Sequence, residues 1–410
     1  MDSLSQIVLG AAVGEAVLGK KAGNRAMLWG AVAGTIPDLD VLSNMWMNQL
    51  DALAFHRGPT HSVFFAMLAS FPLAWLVHKY YEAGYYRYRI VRTSASVLAT
   101  ISMIIIAVGL VFLVTMLGGK IPGWIAVVSL LLLVSLLVFR LWKNYGNKAC
   151  VDDINTNFKD WYWLFFLGLF THAILDCFTT YGTMLFTPIT NHRVAFNNIA
   201  VVDPLWTFPF LIFLIAAALK KKGTSNRSKL NYLGIIVSSI YMVFTIYNKF
   251  RVDNILRNTL DQQQIQYSRY MTTPSIFNNI LWSATVETDS VYYVGTYSFF
   301  DKEKKFKLGK IPKNHHLIPN LNTDKTLGIL SWFSNGYFNL MPLENGEIQY
   351  SDLRFGILRE EIKSSDDFIF SFILKKDKSG VMQLLRQKPR PRGAEQNRIF
   401  VNLLQRIRGV

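Results

Sequence analysis

His172 and Asp176 stand four residues apart near the end of an apolar run. On a helix that spacing puts both side chains on one face, as two ligands of one ion require. A second group is Pro37-Asp38-Leu39-Asp40. Asp38 and Asp40 would diverge on a helix and align in an extended segment. Pro37 biases Ile36 away from helical geometry, so a local break is expected, of a kind tolerated at membrane depth where it lines a polar cavity. The third group is His56-Arg57-Gly58-Pro59-Thr60-His61-Ser62. Its Gly58-Pro59 pair should turn the chain and open a helix, with His61 in the first turn and His56 in the preceding loop. Asp2 joins the set either as a ligand or as an N-cap. Ionisable groups among apolar residues are costly and usually pair or work. Three histidines and several carboxylates in this arrangement predict a one- or two-metal centre of Asp2, Asp38, Asp40, His56, His61, His172 and Asp176. Mixed nitrogen and oxygen donors favour zinc, then manganese or iron.

The elements that must hold these groups are greasy. The chain has 410 residues, 51% hydrophobic and 17% charged, with a mean hydropathy of +0.23. Runs such as Ala95 to Leu117 and Trp124 to Leu141 are uncharged over the length that crosses ~30 Å of hydrocarbon. Helices are expected at about 5–18, 26–46, 61–78, 94–117, 124–142, 161–182, 204–219 and 230–248. The start lacks the basic region and cleavage site of a signal peptide, so the first run is expected to remain. Alternate connections carry sixteen lysines and arginines, from Lys20 to Lys229, against three: Arg57, Lys120 and Arg193. The positive-inside rule makes the richer set cytoplasmic, with the N-terminus and everything after Asn248 outside. All seven candidate ligands then fall on the outer side, a placement independent of the spacings that single them out.

The fold class expected is an all-α polytopic membrane domain of about eight helices over 1–249, followed by a small soluble α+β domain with antiparallel strands over 250–410. Ile280 to Glu287 and Val291 to Phe300 read as strands around the turn Thr288-Asp289-Ser290, and Glu344-Asn345-Gly346 signals a second hairpin. Asp367 to Leu374 reads as a strand, and Asn397 to Ile407 as a basic amphipathic helix at the lipid surface. The net charge of +16 does not imply nucleic acid, because the basic residues lie scattered in short loops. Cys150 and Cys177 fall at opposite ends of a predicted span, so no disulfide is expected. Blander readings cover other residues: His78 as interfacial, His315 and His316 as solvated, Glu15 paired with a lysine, and the aromatics around 80–86 and 161–163 as interfacial belts. His192 is a further ligand candidate on its outer side alone.

His-Arg-Gly-Pro-Thr-His-Ser, the Met-Asp start, Pro-Asp-Leu-Asp upstream, and His-Ala-Ile-Leu-Asp with Thr180-Tyr181-Gly182 downstream resemble the YdjM-like family of bacterial membrane-bound metal-dependent hydrolases. The resemblance covers roughly residues 1–210 in motif order, and implies a hydrolase of the inner membrane without naming a substrate. Gln6 stands where relatives often show His, which would weaken the site by one ligand. A vaguer similarity in ligand type links the His-x-x-x-Asp pair to zinc-dependent phospholipases C and nucleases. The expectation is therefore a hydrolase at the outer membrane face, acting on lipid or lipid-linked phosphoesters, with membrane lipids as its surroundings. The metal would lower the pKa of a bound water from 15.7 to about 7. Arg57 would clamp an oxyanion beside Asp40 in the catalytic centre, and Thr60 and Ser62 would orient the ligands. Two rivals are a proton- or metal-coupled transporter or sensor, and a non-catalytic scaffold with a structural metal whose outer domain recruits a protein partner.

Overall fold

A computed structural model describes residues 1–116, 123–147, 154–318, 324–356, 364–378, 380–389 and 394–409. Cys150 lies outside these residues. Two compact units emerge, one of Met1–Ser70 with Trp163–Val410, the other of Phe71–Tyr162.

The first unit opens with a helical hairpin, α1 (Ser3–Ala22) and α2 (Asn24–Thr35), reversed at Gly23. Glycines at four-residue spacing face each other across it, Gly10 and Gly14 against Gly30 and Gly34. A β-carbon on Gly10 would sit 2.3 Å from the Gly30 carbonyl oxygen, and one on Gly34 only 2.5 Å from that of Gln6. Backbones this close gain packing and hold α2 in fixed register on α1. After α2 the chain tightens into a 3-10 segment, Pro37–Met45, so the predicted helix 26–46 breaks at Pro37. A short α3 (Gln49–Phe55), absent from the sequence reading, and a 3-10 turn, Pro59–His61, lead to α4 (Val63–Glu82).

In the second unit, α5 (Arg89–Met116) pairs with α6 (Gly123–Leu141). Tyr81 stacks on the fully buried Trp161 with centroids 5.0 Å apart, so this pair packs a core instead of forming an interfacial belt. The chain returns to the first unit along α7 (Phe158–Cys177), then α8 (Pro204–Ala218). The 38-residue α9 (Ser225–Gln262) does not stop at Asn248. Ser238, Met242 and Thr245 are buried in its first half, whereas Val252, Leu256 and Leu260 pack on Trp282, Val286 and Tyr297 of a sheet. Spacing of three or four residues keeps each set on one face, so a single helix serves both the helical bundle and the β region.

Two four-stranded antiparallel sheets follow. The first is β1 (Arg269–Pro274), β2 (Leu281–Glu287), β3 (Val291–Ser298) and β4 (Lys307–Pro312), in sequence order. After α10 (Lys325–Phe333) comes the second, also in order: β5 (Phe338–Pro342), β6 (Glu347–Asp352), β7 (Ser371–Lys376) and β8 (Met382–Gln387). Both predicted hairpins are present, the second turning through left-handed Asn345 and Gly346. The last helix, α11 (Ala394–Ile407), docks on the first sheet through Arg406 and Asp301. His315 is half-buried and stacked 4.2 Å from Phe338, not solvated; His316 is exposed.

Among the described residues, α4 and α9 are long and apolar enough to cross a membrane. That is fewer than the eight expected crossings. One reason is length: the break at Pro37 leaves α2 with 12 residues, about 18 Å at 1.5 Å per residue.

Candidate metal centre

Four ligand atoms converge at one end of the bundle. His61 and His172 face each other with their Nε2 atoms 3.1 Å apart. Asp38 Oδ1 lies 3.5 Å from His61 Nε2 and 3.6 Å from His172 Nε2; Asp176 Oδ2 lies 3.4 and 3.5 Å from the same two atoms. All four are within 4.8 Å of one another. A tetrahedral ion with ligands at 2.0–2.2 Å has ligand–ligand edges of about 3.3–3.6 Å, a range that the four His–Asp spacings match and the His–His spacing falls just below.

Hydrogen bonding shows why an ion fits. His172 Nδ1 meets the Gly34 carbonyl oxygen at 2.7 Å, and since a carbonyl only accepts, Nδ1 carries the proton. Thr60 Oγ1 gives its one proton to Asp40 Oδ2 at 3.1 Å and so accepts from His61 Nδ1 at 3.1 Å. Both Nε2 atoms therefore present lone pairs to each other, a repulsive contact unless a cation lies between them. Asp176 Oδ2 is buried without a hydrogen bond as well. Burial drives His61 down to about 3, against the pull of Asp38, leaving a neutral imidazole as a metal requires.

The rest of the fold aims these groups. Tight α1–α2 packing fixes the Gly34 carbonyl, and Gly168 lets α7 approach Ala33 of α2, bringing His172 beneath it. One turn later Asp176 shares the face of His172. Asp40, expected as a ligand, stands behind the quartet. Its Oδ1 meets His56 Nδ1 at 2.7 Å, and its Oδ2 accepts from the Arg57 amide at 2.8 Å and lies 3.4 Å from His61 Nδ1. His56 likewise lies outside the quartet, with a partly exposed side chain against Tyr181. Asp2 is the N-cap of α1, accepting from the Ser5 amide and hydroxyl. Ser62 caps α4, where its Oγ accepts from the Phe65 amide, whereas Thr60 orients His61 as expected of it. His192 is exposed outside the quartet.

Arg57 has φ of +56°, strained for a residue with a β-carbon, and its bond to Asp40 pins it there. Its guanidinium is buried, 3.3 Å from Asp176 Oδ2 and bonded to Thr179. Gln6, where a histidine was the alternative, donates to Asp176 Oδ1 at 3.1 Å and leaves its own Oε1 buried and unbonded. The Met1 amino nitrogen contacts the same Asp176 oxygen.

Tyr181 and Arg193 also stand at the site, and no residue spacing singled them out. Arg193 lies in the loop after α7, its guanidinium carbon 4.9 Å from the Tyr181 ring centre, 4.8 Å from Trp332 and 5.5 Å from Phe333. Only Thr180-Tyr181-Gly182 in the quoted motif pointed to this loop.

A helical domain with an Asp/His cluster at one end, followed by two β-sheets, defines the class. Residues 1–119 and 123–252 match the description YdjM inner membrane protein, and the chain belongs to that family. No curated protein and no solved structure matches it.

Proposed function

We propose that the protein is a multi-pass inner-membrane hydrolase of phosphoesters whose single divalent ion, zinc, is held by Asp38, His61, His172 and Asp176 at the outer face. The observation that carries this reading is the set of four lone-pair donors at tetrahedral spacing, including two imidazoles whose bare nitrogens face each other. When bound, the ion supplies a water of lowered pKa and polarises the scissile group. His56, held by Asp40 and partly open to solvent, carries the proton between that water and the leaving group. Arg57, beside Asp176, offsets charge developing on the phosphoryl oxygens.

The multi-pass reading draws on exposed apolar side chains along α4, α5, α8 and α9, among them Leu68, Leu98, Ile212 and Ile240, which water would not favour. Orientation is supported by the grouping of basic ends: Arg227 bonds Asn24 and the Lys220 carbonyl at the end of the bundle opposite the quartet. A transporter would need polar groups continuing toward that end. Glu15, the carboxylate there, is already engaged by Arg227 at 2.5 and 2.7 Å, not by the lysine expected.

A structural ion is the second reading, favoured by one feature: four protein ligands close a zinc shell, whereas catalytic zinc keeps a position open. Asp38 decides between them, because its side chain is the accessible one, 19% exposed against 0% for the others. The test is metal analysis and phosphodiester turnover of detergent-purified protein, with His61→Ala and Asp38→Asn. A catalytic site predicts about one zinc per chain, lost in His61→Ala, and turnover that falls in Asp38→Asn more than thermal stability does. Equal loss of both, or no turnover with zinc bound, removes the hydrolase reading.

A further inference from the structure

Arg193 makes no ion pair among the described residues. Its Nη2 donates to the His56 carbonyl at 2.9 Å, while Nε and Nη1 are shielded from water with no hydrogen bond. After burial, Tyr181 acts on it most strongly, a phenol that its own burial keeps protonated, and next come two further cations, Arg354 and Arg57. Arg354 is matched by Asp352, at 2.7 Å, and Arg57 by Asp176. Arg193 has no such match. Burial pushes its guanidinium down to about 10, so it remains a cation at neutral pH. A desolvated cation without counter-charge is costly, and the cost is tolerated where a ligand brings the missing negative charge.

Aromatic rings hold this guanidinium in place. Trp332 and Phe333, from the end of α10, and Tyr181, from the loop after α7, all lie within cation–π range. The Trp332 indole bonds the Asn191 carbonyl at 3.2 Å, and Phe333 packs edge-on against Tyr181. Tyr181 also lies 4.9 Å from Arg57 and 5.2 Å from the His56 ring, which joins Arg193 to the metal centre through one residue. The loop carrying Arg193 exposes Phe186, Ile189 and Phe196, apolar side chains suited to a lipid surface.

We propose that Arg193 recognises the phosphate group of the substrate, and that the C-terminal domain completes the binding site by holding this arginine between Trp332 and Phe333. The inference rests on the hydrolase reading for the word substrate, but binding can be measured without turnover. A phosphate suits the place, since it brings the charge Arg193 lacks and accepts from N–H groups left without a partner.

The experiment titrates full-length, zinc-loaded protein in detergent by calorimetry with two probes, inorganic phosphate and dihexanoyl phosphatidic acid. Wild type is compared with Arg193→Gln, Arg193→Lys and Trp332→Ala, each checked for unchanged zinc content and a monodisperse elution profile. Arg193→Gln should weaken binding about tenfold or more, the scale of a hydrogen bond to a charged group. Arg193→Lys should recover part of that loss, and Trp332→Ala should weaken binding with the arginine still present. Arg193-dependent binding of both probes supports recognition of any phosphate; dependence for the lipid probe alone supports a lipid headgroup. Wild-type affinity in Arg193→Gln for both probes, or binding of neither by zinc-loaded wild type, overturns the proposal. Arg193-dependent binding without hydrolysis would instead leave this inference standing and remove the hydrolase.

Discussion

Asp40 braces the candidate metal site without joining its four ligand atoms. It braces His56, the Arg57 amide and, through Thr60, the proton-bearing nitrogen of His61. Such a partner fixes the tautomer and direction of a ligand, and its loss typically costs 10- to 100-fold in metal affinity. Asp40→Asn should therefore weaken zinc binding by about that factor in a chelator competition while all four ligands remain. An unchanged zinc affinity would reduce Asp40 to a loop brace. Arg57 invites a finer substitution. If it stabilises developing charge, Arg57→Lys should keep its zinc and lose about 10²-fold in phosphoester turnover, the scale of one preorganised donor. Full turnover in that variant would return Arg57 to a purely structural pairing with Asp176.

At the scale of elements, the α1–α2 hairpin is the part on which the site depends without contributing a ligand. A methyl on Gly30 would come 2.2 Å from the Gly10 carbonyl oxygen, so the helices must separate to admit it. Gly30→Ala should cost about 1–3 kcal/mol by thermal unfolding, as overpacking does. It should also weaken zinc binding, because the Gly34 carbonyl that sets the His172 tautomer moves with α2. Loss of stability with zinc affinity intact would show that this carbonyl is dispensable. At the other end of α1, the buried Glu15–Arg227 pair is almost fully desolvated on both sides. Arg227→Ala would strand the carboxylate and should destabilise the protein by roughly 3–5 kcal/mol, and Glu15→Gln in that background should recover part of it. A double variant as unstable as the single one would mean that the arginine acts through its bonds to Asn24 and Lys220 instead.

For the whole molecule, orientation in the membrane is the property to test. Alkaline phosphatase fused after Gln263, beyond the end of α9, should be active, and a fusion within Lys220–Lys229 should not. The fusion point must lie past α9, since the helix continues from the bundle into its packing on the first sheet. The reverse pattern would put the metal centre and both sheets on the cytoplasmic side.

Much of this was legible in the chain itself. Apolar runs marked the helices, because lipid or core burial demands a long uncharged stretch, and Thr288-Asp289-Ser290 and Glu344-Asn345-Gly346 marked both hairpins through local turn chemistry. His172 and Asp176 could be paired because their relation is set by one helix turn, and Pro37 announced the break that frees Asp38. Which carboxylate joins the quartet was not legible: Asp38 and Asp40 differ by two positions in a 3-10 turn, and only contacts with His56, Arg57 and Thr60 assign Asp40 the bracing role. The Gly34 carbonyl, Arg193 and its Trp332 platform were hidden for a related reason. Each acts on a residue 137 to 139 positions away, and the packing of α1 on α2 and of α10 against the loop after α7 brings them together. Local spacing carries no record of such encounters.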